Sequence, residues 1–284
     1  MPASAPTPDE IRAQQKASWN AFSPGWRKWD EFNREFLRPM GEAIIAALAL
    51  RPDDHVLDVA TGTGEPGLTI AGRVPRGRVV GTDLADQMVE IARENARRRG
   101  IGHYHAQTAD VSALPFPEAS FQAVSCRMGF MFFPDMPRAA REIARVLAPG
   151  GRLAASVWTV GDQNPWVATL MGIIARRFNL PPPPPGAPGM FRCGAPGVMS
   201  QLFRDAGLEN VAEQDIPGQI RFASADEYWI MMNEVAAPVV AALAKTDDAG
   251  RAEIKRELFA AFGNSAGPLT LGYGARVISA AKPC

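Results

Sequence analysis

The stretch from His55 to Gly67, HVLDVATGTGEPG, constrains this chain more than any other. An apolar strand (Val56, Leu57, Val59) carries an acid, Asp58, near its end. A turn with Gly62, Gly64 and Gly67 follows, and the apolar run Leu68, Ile70, Ala71 then starts a helix. Strand, glycine turn and helix form the ligand crevice of an α/β sheet. Glycine lets the backbone turn sharply and approach a ligand, and a helix start offers free N–H donors.

The rest of the chain repeats that rhythm. Asp9 is the expected cap of a first helix running toward Trp19 and Phe22, with Ser23-Pro24-Gly25 as its breaker and a second, Ala-rich helix over 40–50. RVVGTD (78–83) reads as a second strand ending in an acid. From Asp86, the spacing of Met88, Ile91, Ala92 and Asn95-Ala96 gives one buried helix face, ended by Gly100. Strands over 104–108, 121–126 and 152–158 follow, with a helix capped by Asp135 and stopped by Pro149-Gly150-Gly151 between the last two. Such alternation predicts a doubly wound parallel sheet. After Thr159 come a helix from Asn164 to about Phe178 and an extended Pro-rich loop from Pro181 to Gly189. A helix near 195–206, a strand near 211–216, a helical insertion over 224–262 and a last strand over 269–280 complete the chain.

Composition narrows the function. Lys plus Arg equal Asp plus Glu at 30 each, which gives no basic field for nucleic acid or an anionic membrane. The three cysteines, Cys126, Cys193 and Cys284, form no CxxC pair, so no metal site is expected. No apolar run approaches the roughly 20 residues of a membrane span. MPASAPTPDE lacks the apolar core of a signal peptide, and a cytoplasmic, soluble protein is expected.

Gly62, Gly64 and Gly67 match GxGxxG, with Asp83 at the spacing of a ribose-binding acid. Taken alone, the pattern suits a dinucleotide as well as a nucleoside-methionine ligand. Asp58 tilts the choice, because a carboxylate facing the crevice repels pyrophosphate and suits a cation. S-adenosylmethionine carries an ammonium and a sulfonium and no phosphate. Four ordered motifs then resemble the class I S-adenosylmethionine-dependent methyltransferases, in the branch similar to ubiquinone/menaquinone biosynthesis methyltransferases. They are VLDVATGTGEPG, VVGTDLADQMVEIARENA, AQTADVSALPFPEASFQAV and REIARVLAPGGRLAASVW. The resemblance is close over roughly residues 40 to 160 and looser beyond.

The resemblance implies a Rossmann-like, doubly wound, mostly parallel seven-stranded α/β sheet with an N-terminal helical lid and helical cap insertions. Residues 1–50 would be the lid and 51–160 the cofactor-binding core. A cap with the Pro-rich loop (161–194), a continuation of the core (195–222), a helical cap (223–263) and the last core strand (264–284) would follow. Asp58, Ala60, Thr61, Gly62, Thr63 and Gly64 would face the methionine part of S-adenosylmethionine. Asp83 would bind the ribose, Leu84 and Met88 the adenine face, and Asp110 the adenine amino group beside Val111. Cys126 and Arg127 would line the methionyl and substrate side. Ala60 stands where the wider class often has glycine.

The acceptor walls are expected from Trp19, Phe22 and Trp26 of the lid, Phe130, Trp158 and Trp166 at the core edge, and Trp229 and Met232 of the insertion. Such walls suit a small, largely apolar or aromatic acceptor, and ordinary packing of inserted helices is the competing reading. His55, His103 and His105 lie away from the ends of the fourth and fifth strands, so no catalytic residue is assigned; Asp162 and Glu227 are the weak candidates for a base. The motif after the fourth strand, Cys126-Arg127-Met128-Gly129, differs from that of enzymes methylating exocyclic base amines. Alternatives are an NAD(P)-dependent oxidoreductase and a non-catalytic S-adenosylmethionine sensor, and a homodimer is left open.

Overall fold

The side chain of Thr7 accepts from the Glu10 N–H while the Glu10 carboxylate reaches back to the Thr7 N–H at 2.7 Å. This reciprocal cap, rather than Asp9, starts α1 (Pro8–Lys28). The computed structural model describes residues 7–182, 184, 186–263 and 267–284; Pro183 and Pro185 of the expected proline loop lie outside that range. Helix α1 does not break at Ser23-Pro24-Gly25 but runs through Pro24. At Gly25 a side chain would collide with the Glu234 backbone, so glycine lets this helix close on a distant segment.

Helix α2 (Asp30–Leu48) begins after a single joint residue, Trp29, and also runs through its proline, Pro39, well beyond the 40–50 expected. It buries Asn33, Phe36, Leu37, Met40, Ile44 and Leu48 along one stripe. Burial of that stripe outweighs the backbone bond each proline removes.

The glycine turn follows β1 (His55–Val59) and leads into the short α3 (Gly67–Ala71). Then come β2 (Arg78–Asp83), α4 (Asp86–Arg98), β3 (Tyr104–Thr108), β4 (Phe121–Arg127), α5 (Met136–Val146) and β5 (Leu147–Trp158). Strand β5 includes the Pro149-Gly150-Gly151 stretch expected as a stop, and its register with β4 shifts between Phe121 and Ala123. Beyond it lie α6 (Pro165–Arg177), α7 (Val198–Asp205) and β6 (Glu209–Phe222). The chain ends with α8 (Ala225–Val235), α9 (Ala237–Leu243), α10 (Asp248–Ala261) and β7 (Leu269–Ala281). Strand β6 is more than twice the length expected because it pairs with β7 along a long antiparallel hairpin.

The seven strands lie in the order β3-β2-β1-β4-β5-β7-β6. The first five are parallel and β7 is antiparallel to both neighbours. Strand order reverses between β1 and β4, so the crevice opens at their carboxyl ends. The two faces of the sheet bury separate cores. Leu57, Val59 and Val124 pack with α2 and α5 residues on one face, and Val56, Val79 and Ala123 with α4 residues such as Val89 and Ala92 on the other.

Candidate functional site

At the reversal between β1 and β4 lies a cavity with a polar end and an aromatic end. The polar end is built by the turns that leave β1, β2 and β3. Ala60 leaves β1 with φ +54° and Gly62 follows at +55°, both left-handed. That conformation accounts for glycine being common where Ala60 stands. The Gly62 N–H then donates to Asp83 at 2.9 Å, and the Ala85 N–H donates to the other Asp83 oxygen at 2.9 Å. Two backbone donors thus fix the Asp83 carboxylate at the cavity wall with lone pairs to spare. Leu84, Met88 and Val111 form an apolar slot next to it. Asp110 accepts from the Ser112 N–H at 2.8 Å, and its other oxygen lies 2.7 Å from Arg12 Nε of α1. Arg12 Nε makes no aligned hydrogen bond there, so this pair is chiefly electrostatic.

Asp58 does not face the cavity, contrary to the sequence expectation. It is fully buried beneath the turn, where its carboxylate accepts from Thr61 Oγ1 (2.5 Å), Ser125 Oγ (2.6 Å) and the Gly67 N–H (3.1 Å). Burial pushes its pKa up to about 6 against the pull of those bonds. Asp58 therefore staples the turn, β4 and the start of α3 together. A side chain at Gly67 would meet Asp58 Oδ2 at 2.8 Å, which explains that glycine. Gly64 is likewise a backbone device: its φ is +113° and a Cβ would lie 2.6 Å from Leu68 Cδ1.

Strand alternation separates the next pair of expected residues. Cys126 points back into the core with no exposure, and burial pushes its thiol well above the usual range. Arg127, the next residue, lines the cavity.

The aromatic end joins distant segments. Trp19 and Trp26 come from α1, Trp158 from the end of β5, Trp166 from α6 and Met232 from α8, all as expected cavity residues. Phe36 of α2 stacks on Trp158 (5.7 Å between centroids) and meets Trp166 edge-on at 5.2 Å. Trp166 is fixed twice: its Nε1 donates to Asn164 Oδ1 (3.1 Å), and Tyr228 OH donates to its carbonyl (2.8 Å). Three expected wall residues lie elsewhere. Phe22 meets Trp19 edge-on without lining the cavity, and Phe130 is wholly within the core against Phe133 and Phe203. Trp229 of α8 is partly buried against the core without lining the cavity.

Neither weak candidate for a base reaches the cavity. Asp162 is exposed in a short turn, and Glu227 accepts from the Ala223 N–H as part of the cap of α8. Sequence reasoning missed Asn33, Phe36, Glu65 and Arg12 in the lining. Asn33 was findable, since a polar residue among the apolar positions of the buried stripe of α2 is anomalous. Glu65 adjoins Gly64 but is held by Arg99 at 2.5 Å and by Thr69 Oγ1 at 2.7 Å.

The polar end fits a nucleoside bearing a cation better than a dinucleotide. Asp83, Asp110 and Glu65 all line it, and a pyrophosphate would meet carboxylates where it needs donors. A ribose diol, by contrast, needs an acceptor such as Asp83, and an adenine needs a slot such as that of Leu84, Met88 and Val111.

A family model described as a methyltransferase domain matches residues 56–151. Demethylmenaquinone methyltransferase of Thermus thermophilus is 39% identical over 154 residues, covering 54% of this chain and 59% of that protein. Nocamycin O-methyltransferase of Saccharothrix syringae is 31% identical over 210 residues, covering 70% of this chain and 74% of that protein. The YcgJ protein of Bacillus subtilis has a similar fold, with a TM-score of 0.57 at 21% identity over 86% of this chain and 98% of its own.

Proposed function

Because the chain belongs to the class I S-adenosylmethionine-dependent methyltransferases, we propose that it transfers a methyl group to a small, largely apolar or aromatic acceptor. The observation that carries this reading is the single cavity joining a nucleoside-suited polar end to an aromatic end. The relatives, a demethylmenaquinone methyltransferase and a nocamycin O-methyltransferase, support a small molecule rather than a macromolecule as acceptor.

In this reading Asp83 takes the ribose hydroxyls, Leu84, Met88 and Val111 hold the adenine, and Asp110 accepts from its amino group. The backbone from Ala60 to Thr63 faces the methionine part. When bound, S-adenosylmethionine supplies a methyl group on a cationic sulfur, open to in-line displacement. The chain's part is then alignment and exclusion of water. Trp19 and Trp26 cover the cavity from α1, while Asn164 and Tyr228 hold Trp166 in place on the opposite wall. No histidine lines the cavity among the described residues, and His103 Nε2 sits 2.7 Å from the Ala71 carbonyl instead. The acceptor nucleophile is therefore one that needs no histidine base: an ionised oxygen or sulfur, an amine, or an activated ring carbon.

Calorimetry with S-adenosylhomocysteine and with NAD tests the donor, and its release in the presence of phenols, thiols, amines and quinols tests the reaction. S-adenosylhomocysteine should bind, NAD should not, and one acceptor class should give turnover. NAD binding in its place would overturn the reading, and donor binding with no turnover in any class would favour a sensor.

A further inference from the structure

Most charged groups near the polar end are already paired. Glu65 is held by Arg99, Asp110 by Arg12, and Asp30 by Asn95 Nδ2 and Arg98. Arg127 is different. Its side chain lines the cavity at the carboxyl end of β4, yet it makes no hydrogen bond or ion pair among the described residues. Glu65, Asp58 and Asp30 act on it only as a longer-range field, and burial holds its pKa below the ordinary arginine value. Even so lowered, a guanidinium remains charged at neutral pH. Its five N–H groups are donors without acceptors among the described residues, and they stay open to the cavity space.

A second unpaired donor opens on the same space. Asn33 is 3% exposed, lines the cavity, and its Nδ2 has no partner. Both groups sit where the polar end meets the aromatic end. Arg127 is in register with Ser156, two residues before Trp158, and Asn33 is three residues before Phe36 on α2. Phe36 and Trp158 themselves stack. A fixed fork of guanidinium donors with an amide donor in the same cavity matches the lone pairs of a carboxylate or an ionised hydroxyl.

We propose that Arg127 and Asn33 form a seat for an anionic oxygen, a carboxylate or an ionised hydroxyl, carried by the methyl acceptor. The inference rests on the methyltransferase reading and names the acceptor class that reading leaves open: an aromatic acid or an ionised phenol, its ring against Phe36 and Trp158.

The test uses the full chain and two measurements. Calorimetry gives the affinity for S-adenosylhomocysteine. Tryptophan quenching then compares 2-naphthoate with its neutral isostere 2-naphthamide on protein saturated with S-adenosylhomocysteine, since Trp19, Trp26, Trp158 and Trp166 line the cavity. The wild type should prefer naphthoate by about tenfold, and Arg127→Met should abolish that preference while S-adenosylhomocysteine affinity stays within about twofold. Arg127→Lys keeps part of the preference, and Asn33→Leu reduces it by about threefold. Should the methionine variant fold poorly, Arg127→Gln and Arg127→Lys give the charge comparison. An unchanged naphthoate-to-naphthamide ratio in the folded variants overturns the seat, and so does a loss confined to S-adenosylhomocysteine, which would make Arg127 a donor contact only. A wild type that does not bind S-adenosylhomocysteine overturns the methyltransferase reading itself, which is a separate outcome.

Discussion

At the polar end of the cavity the lining groups sit at strand ends or in the turns just after them: Ala60 to Thr63 after β1, Asp83 and Leu84 at and after the end of β2, Asp110 and Val111 after β3. At the aromatic end, Trp26, Phe36, Trp158, Trp166 and Met232 come from five separate elements. The polar end is fixed by backbone bonds such as Gly62 N–H to Asp83, whereas the aromatic end is fixed by packing and by distant props such as Asn164 under Trp166. The first kind of site binds what its hydrogen bonds dictate. The second can change its ligand by changing side chains, with the fold untouched. One chain can therefore keep a family's cofactor while its acceptor varies.

The division can be broken by experiment, beginning with Asp83. Asp83→Ala should weaken S-adenosylhomocysteine by about 100-fold, since it loses both a ligand contact and the anchor of Gly62. A change under about threefold in calorimetry would show that the polar end is not where the donor binds.

Asp58 tests whether the polar end rests on a buried scaffold. Its folded pKa of about 6 is raised above the ordinary 3.8, so the folded protein holds this proton more tightly than the unfolded chain. Its contribution is most favourable below the ordinary carboxylate range and is lost as pH rises through about 6. Between pH 4 and 7, urea midpoints of the wild type should therefore fall relative to Asp58→Asn, by an amount worth about 2 kcal/mol. Parallel pH curves for the two proteins would place the proton elsewhere.

Trp26 and Trp229 sharpen the aromatic end. Trp26→Ala should raise the acceptor KM by about tenfold with S-adenosylhomocysteine affinity within about twofold. Trp229→Ala, outside the cavity, should leave both alone. Equal losses for donor and acceptor in Trp26→Ala would dissolve the distinction between the two ends. Among residues that line the cavity, the smallest effect is expected at Arg12, whose pairing with Asp110 is partly exposed. Arg12→Ala should weaken S-adenosylhomocysteine by about threefold at low ionic strength, and the difference should shrink in 0.5 M salt. A salt-independent loss would mean that Arg12 acts by packing.

What the sequence revealed follows the same line. Strands β1 to β4 and helix α4 lie close to where periodicity and turn residues place them, because each is set by local pattern. Asp83, expected from its spacing, and Leu84, Met88, Asp110 and Val111, expected from the resemblance, all line the cavity. Helix α1 is expected to break at Ser23-Pro24-Gly25 and the second helix to begin only at 40, because local propensity says nothing about the burial that carries α1 through Pro24 and α2 through Pro39. Asp58 was placed in the crevice by its spacing, although the bonds to Ser125 and Gly67 that draw it beneath the turn depend on long-range folding. Phe130 and Trp229 are aromatic and near the site in sequence, yet which way each points is decided by neighbours far along the chain.

The joint at Trp29 ties these ends together mechanically. One residue separates α1, which brings Arg12 to Asp110 and Trp26 to the Val235 carbonyl, from α2, which carries Asn33 and Phe36. Helix α1 is also held to α4 through Lys16 with Asp86 and through Asn20 at the Gln87 N–H. Were a ligand to settle α1 at one end, it would also set the starting position of α2 at the other. The two occupancies would then be linked, and linkage is symmetric: the factor by which one ligand tightens its partner equals the factor found when the order of addition is reversed.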